Sequence, residues 1–170
     1  MNWNYQELLP SDFDPGSRVW IYQANRVFAL SEALMIETLL EQFVDSWQAH
    51  GAKVKGYANL FFGQFIVLMA DETQTGVSGC STDSSVRVIK EIEKATGVSL
   101  FDRQLLAFVI KDKVQVIPMA QLNYSVENGF LNGDTLYFNN LAATKKELES
   151  IWMQPLKQSW LAKRIKATEI

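Results

Sequence analysis

The run Phe65-Ile66-Val67-Leu68-Met69-Ala70 constrains the fold more than any other stretch of this chain. Successive strand residues point to opposite faces, so an unbroken apolar run leaves no side for water. It predicts a central β-strand covered on both faces. Just upstream, Val54 to Phe62 predicts a neighbouring strand, and the intervening Gly63-Gln64 suits a type II′ hairpin. Val19 to Phe28 contains a further strand, built on Val19-Trp20-Ile21-Tyr22.

Two helical patterns flank these strands. Ile36, Leu39, Leu40, Phe43, Val44 and Trp47 recur at three and four. That places one apolar face on a helix that starts from Ser31 as N-cap and ends at Gly51. The second helix is predicted from Asp83 to Ala95. Val86, Val88, Ile89 and Ile92 form its buried side, and Gly97 follows as a C′ residue. Leu105 to Ile110 and Val114 to Ile117 read as a strand pair around Lys111-Asp112-Lys113, and Leu136-Tyr137-Phe138 as a short last strand. Thr144-Lys145-Lys146-Glu147 matches a capping box. It opens a C-terminal helix, kinked at Pro155, whose stripe continues through Leu156, Trp160 and Leu161.

The order up to Ile110 is β-α-β-β-α-β. This predicts an α+β protein with a ferredoxin-like antiparallel sheet and both helices on one face. An extra hairpin strand and the C-terminal helix would extend or cover that sheet. The 170 residues suit one domain, with residues 1–16 as an irregular docked arm and 144–170 as the C-terminal helix.

Composition narrows the function classes. The net charge is −3 and the sequence pI about 5.2, which supplies no basic face for non-specific nucleic-acid binding. The single cysteine, Cys80, excludes an intramolecular disulfide and fits a reducing, cytoplasmic compartment. The start of the chain lacks the charged and apolar regions of a signal peptide. The longest apolar stretch, Leu60 to Ala70, is too short to span a bilayer, so a soluble protein with no membrane partner is expected. Charge is uneven: residues 1–50 hold seven acids against two arginines, and residues 144–170 six bases against three acids. Two solvated faces account for this; packed chain ends or a partner surface would also do so.

The stretch most suggestive of chemistry is Gly76-Val77-Ser78-Gly79-Cys80-Ser81-Thr82-Asp83-Ser84-Ser85, between the central strand and the second helix. Unpaired N–H groups at a helix start attract anions and stabilise thiolates, and small residues admit a ligand to the backbone. Ser78, Gly79, Cys80, Ser81, Thr82, Asp83 and Ser84 are therefore ligand-binding candidates. The plainer account is that these hydroxyls and Asp83 only cap the helix. Cys80 is also a nucleophile candidate, but it needs a base. The lone histidine, His50, is expected at the end of the first helix, far from the start of the second. Asp102-Arg103 can orient a ligand or form an ion pair, which adds Arg103 to the ligand-binding candidates. No metal site is expected: one His and one Cys cannot build a zinc cluster, and Asp71, Glu72 and Asp83 read as solvated carboxylates. The five tryptophans and ten phenylalanines sit mostly at core-like spacing.

Three segments carry a resemblance that extends over nearly the whole chain. Phe61-Phe62-Gly63-Gln64 through Asp71-Glu72, Gly79-Cys80-Ser81-Thr82-Asp83-Ser84-Ser85-Val86-Arg87, and Leu100-Phe101-Asp102-Arg103-Gln104 resemble a family of uncharacterised bacterial proteins of about the same length. Some members bear the label "ABC transporter ATPase". The residues here do not support that activity: no G-x-x-x-x-G-K-[ST] loop is present, and Gly76 to Ser85 contains no lysine. The expected function is a non-catalytic binding or protein-interaction domain, without a cofactor, that takes a small anion or a protein partner. The alternative is a small thiol-dependent enzyme or redox-responsive protein using Cys80.

Overall fold

The all-apolar run is the middle strand of a three-stranded antiparallel sheet. The computed structural model describes residues 1–73 and 79–166, with the backbone alone for 79–81. Its elements are β1 (Arg18–Gln23), α1 (Leu30–Ser46), β2 (Gln48–Ala49), β3 (Ala52–Lys53), β4 (Lys55–Phe61), β5 (Phe65–Asp71) and α2 (Gly79–Thr96), then β6 (Leu105–Ile110), β7 (Lys113–Pro118), α3 (Leu122–Glu127), β8 (Leu136–Phe138), α4 (Lys145–Ile151) and β9 (Met153–Pro155). The first sheet has the order β1-β5-β4. Every residue of β5 is buried.

The two faces of β5 are covered differently. Ile66 and Leu68 meet Ile36 and Leu40 of α1 and Val88, Ile89 and Ile92 of α2, so both helices lie on one face. Phe65, Val67 and Met69 meet Tyr5, Leu9 and Phe13 of the N-terminal arm, together with Phe138 and Trp152. The arm is therefore docked, and the Tyr5 hydroxyl donates to the Leu148 carbonyl at 2.6 Å. The chain is an α+β protein with antiparallel sheets.

One expectation changes the architecture. In a split β-α-β-β-α-β sheet the fourth strand lies beside the first. Here β6 belongs to a separate four-stranded sheet of order β7-β6-β8-β9. The physical reason is that Leu105 to Ile110 is apolar throughout and needs cover on both faces. Ala107 and Val109 face the aromatic core. Leu106 and Phe108 instead pack with Leu122, Leu131, Tyr137 and Leu161 in a third cluster. The outer edge of β1 is left without a full strand partner.

Local boundaries also shift. α1 is preceded by Ala29 rather than capped by Ser31: the Glu32 carboxylate accepts the Ala29 N–H at 2.7 Å and is itself clamped by Arg26 at 2.7 and 2.8 Å. Trp47 lies just past the helix end, 1% exposed, rather than on its face. The β4–β5 turn is not type II′. Phe62 and Gly63 both have positive φ, 54° and 64°, and Gln64 N–H donates to Phe61 O, which is type I′ geometry. Phe62 tolerates that conformation inside an aromatic cluster, with its ring centroid 5.0 Å from that of Trp3 and 5.6 Å from that of Phe138.

The C-terminal region is no continuous helix. α4 starts at the expected capping box, where Thr144 Oγ1 accepts the Glu147 N–H at 3.2 Å and the Glu147 carboxylate accepts the Thr144 N–H at 3.2 Å. It stops at Ile151, and β9 follows. Pro155 is extended (φ −56°, ψ 139°) and precedes short 3-10 turns that bury Leu156 and Leu161. Proline removes a helix donor, and here the chain uses the break to cover β6.

Candidate functional site

The outer edge of β1 borders a cavity of about 310 Å³. All five residues from Val19 to Gln23 line it. A cavity over one face of a strand would meet alternate residues, so an unbroken run identifies the strand's edge. The opposite wall comes from Leu100–Arg103 before β6 and from Asn140–Ala143 after β8. This is the space beside β1 that β6 does not fill.

Hydrogen-bond directions show what the edge presents. Val19 N–H donates to Ala143 O, and Lys145 N–H donates to Ser17 O, both at 2.9 Å. Alternate residues of an antiparallel strand point their main-chain groups the same way. Ile21 and Gln23 therefore face the cavity with Ser17 and Val19. The Ile21 N–H and C=O have no hydrogen-bond partner among the described residues.

Side chains close the two ends. Beyond Ala143 the chain turns sharply: Ala142 N–H donates to Asn139 O at 3.2 Å, and Leu141 stands 65% exposed at the mouth. At the far end Gln23, 8% exposed, donates through Nε2 to Leu105 O at 3.3 Å. Its Oε1 accepts from Asn140 Nδ2 at 2.8 Å, and Asn140 Oδ1 accepts from Trp152 Nε1 at 3.0 Å. This relay joins β1 to the second sheet and lines the cavity with satisfied amides. Trp160 is also in the wall, and its buried indole N–H faces the Tyr137 phenol.

Charge enters at the rim. Arg103 is exposed, lines the cavity and has no carboxylate partner among the described residues. Its neighbour Asp102 is engaged locally, accepting the Gln104 N–H at 2.8 Å. Burial raises the Tyr22 phenol above its ordinary pKa, while the Ser85 hydroxyl and the positive Arg103 pull it back. Phe101 stacks edge-on against Tyr22 at 5.5 Å, which supplies an apolar wall beside the cation. Burial pushes Tyr137, deeper in the cavity, up to about 12, so its phenol stays neutral.

The residues singled out in the sequence divide. Arg103 belongs to this cavity. Ser84 lines a different depression of about 400 Å³ between α1 and α2, with Gln42, Ser46, Arg87 and Glu91. Ser78 lies outside the described residues, as do the side chains of Gly79, Cys80 and Ser81. Whether Cys80 and Arg103 share a pocket therefore lies outside them as well. Thr82 is half-buried, and its carbonyl accepts the Ser85 hydroxyl at 2.6 Å. Asp83 is exposed and stands inside α2, which starts at Gly79, so it does not cap that helix.

The expected acids and histidine are also relocated. Asp71 is a buried anchor, not a solvated carboxylate: Oδ1 accepts Thr73 N–H and Oγ1 at 3.1 and 2.7 Å, and Oδ2 accepts Asp14 N–H at 3.2 Å and pairs with Lys55 at 3.5 Å. No cluster of metal-ligating side chains occurs among the described residues. His50 sits in the tight β2–β3 turn (φ 49°) rather than on α1. Ser46 and Gln48 share a wall with Ser84, so the end of α1 lies beside the N-terminal half of α2, not at its far end.

Gln23 and Asn140 were not anticipated from the sequence. The available signal was slight: Gln23 is the polar residue that ends the run Val19-Trp20-Ile21-Tyr22. No helix among the described residues is long and apolar enough to cross a membrane. Family models, curated proteins and solved structures yield no match to this chain.

Proposed function

We propose that this chain is a non-catalytic binding domain that takes a small ligand with an anionic group into the cavity beside β1, with Arg103 facing the anion. One observation carries the reading: a cavity with its mouth at Leu141, bordered by main-chain donors and acceptors, amide side chains and a cation with no carboxylate partner among the described residues. Binding sites of this kind are concave, largely apolar and furnished with a few placed polar groups. The β1-β5-β4 half with its two helices on one face is read as a ferredoxin-like core from which the fourth strand has departed. The likeness to bacterial proteins of this length and a cytoplasmic location belong to the same proposal. The test is a fluorescence titration with hexanoate, a simple apolar carboxylate, because Trp20 and Trp160 both line the cavity. A saturable change that disappears in Arg103→Gln is expected; no change with the wild-type chain refutes the reading.

A thiol-based reading draws on one observation, the placement of the His50-bearing hairpin beside α2, the helix whose second residue is Cys80. Alkylation of Cys80 followed against pH tests it. A reactive-thiolate step well below the ordinary thiol pKa of about 8.5, lost in His50→Ala, is required.

A further inference from the structure

We infer that the ligand is a short peptide-like molecule that pairs with Ile21 as an added strand residue and places its terminal carboxylate at Arg103. This rests on the binding-domain reading and names the chemical class of its ligand.

The argument starts from an interrupted ladder. Residues 143–145 run antiparallel to 17–19, with a bridge between Arg18 and Thr144. Continued by the same register, Leu141 would face Ile21. The turn at 139–142 instead carries residue 141 out to solvent, and the ladder resumes only as side-chain contacts between Asn140 and Gln23. From Val19 to Gln23 the edge is about 13 Å long at strand rise. Over that length the Val19 C=O, both Ile21 groups and the Gln23 N–H have no partner among the described residues.

A free strand edge is a template for another extended chain, and main-chain pairing supplies affinity where side-chain pockets supply selectivity. The ends of this edge are blocked, by Ala143 and by the Gln23–Asn140 pair, so a long strand cannot pass through. One peptide residue matches Ile21 in both directions: its N–H donates to the Ile21 carbonyl and its C=O, part of the next amide, accepts the Ile21 N–H. A cavity of about 310 Å³ admits two or three residues. Trp20, Tyr22 and Phe101 offer apolar walls for small side chains. Two charged residues line the cavity, and neither has an ion-pair partner among the described residues. Asp102 accepts the Gln104 N–H, while Arg103 is the cation that selects a chain end bearing a carboxylate over an internal segment.

The experiment is ¹H–¹⁵N NMR on the uniformly labelled full chain, titrated with N-acetyl-alanyl-alanine. Three comparison probes are used: its C-terminal carboxamide, the ester analogue in which lactate replaces the first alanine and removes the N–H that pairs with Ile21, and hexanoate. We expect a saturable shift of the Ile21 amide and at least tenfold slower hydrogen exchange there at saturation. The carboxamide and the ester should each bind at least tenfold more weakly, and Arg103→Gln should weaken the acid but not the carboxamide. The ester arm edits the ligand, so it needs no variant that could misfold. If hexanoate and the dipeptide act alike at the Arg103 rim while Ile21 is unmoved, edge pairing is wrong and the anion-binding reading stands. If none of the probes moves a cavity resonance, both are wrong.

Discussion

Asn140 Nδ2 donates to Gln23 Oε1 at 2.8 Å, across 117 residues of sequence, and this contact ties the end of β1 to the chain leaving β8. Each partner has a second bond, Gln23 to Leu105 O and Asn140 to Trp152 Nε1. Gln23→Ala should therefore cost about 1–3 kcal/mol, because it strands a carbonyl and an amide in a poorly solvated place. A urea-unfolding cycle with Asn140→Ala checks it. Coupling indistinguishable from zero would mean that the two side chains do not meet.

Trp47 and Gly56 are coupled by shape. A Cβ at Gly56 would lie 2.6 Å from Trp47 Cε3, and Trp47 is fully buried. Trp47→Ala should lose about 3–5 kcal/mol. Gly56→Ala should lose about 1–3 kcal/mol through overpacking. In the Trp47→Ala background the second penalty should largely vanish. Equal penalties in both backgrounds, from urea midpoints, would contradict the contact.

Asp71 sets an acid limit on stability. Burial opposes its ionisation, but the Thr73 hydroxyl and N–H, the Asp14 N–H and Lys55 outweigh that and bring the folded carboxyl down to about 2. A depressed folded pKa means that the unfolded chain takes up the proton first. The contribution is thus complete above the ordinary value of 3.8 and is lost as pH falls from there towards about 2. Asp71→Asn should be less stable at neutral pH and show a shallower acid limb. Parallel melting curves between pH 2 and 7 read both effects, and an unchanged acid limb would remove Asp71 from this role.

Helix starts separate a true cap from an apparent one. Thr144→Ala should cost about 0.5–2 kcal/mol, since its hydroxyl accepts the Glu147 N–H. Asp83→Ala should stay within about 0.5 kcal/mol, because the residue is exposed inside α2. Thermal unfolding of the two variants side by side is sufficient. A larger loss for Asp83→Ala would place the start of α2 nearer to residue 83.

The sequence by itself determined the elements whose cause is local. Phe65 to Ala70 is buried because it has no polar side. Gly97 follows α2 at φ 66°, where glycine is unstrained, and Thr144 caps α4 through the motif it begins. The apolar sides of α1 and α2 followed from their spacing, and their place on one face of the first sheet from the order of the elements. Tertiary structure decided everything that depends on which buried faces find each other. Periodicity states that Leu105 to Ile110 must be covered on both sides but not by what, and the cover proved to be a second sheet. The cavity, its free Ile21 edge and the Gln23–Asn140 closure are consequences of that one choice. They join residues more than a hundred positions apart, and no local pattern encodes a space defined by a strand that went elsewhere.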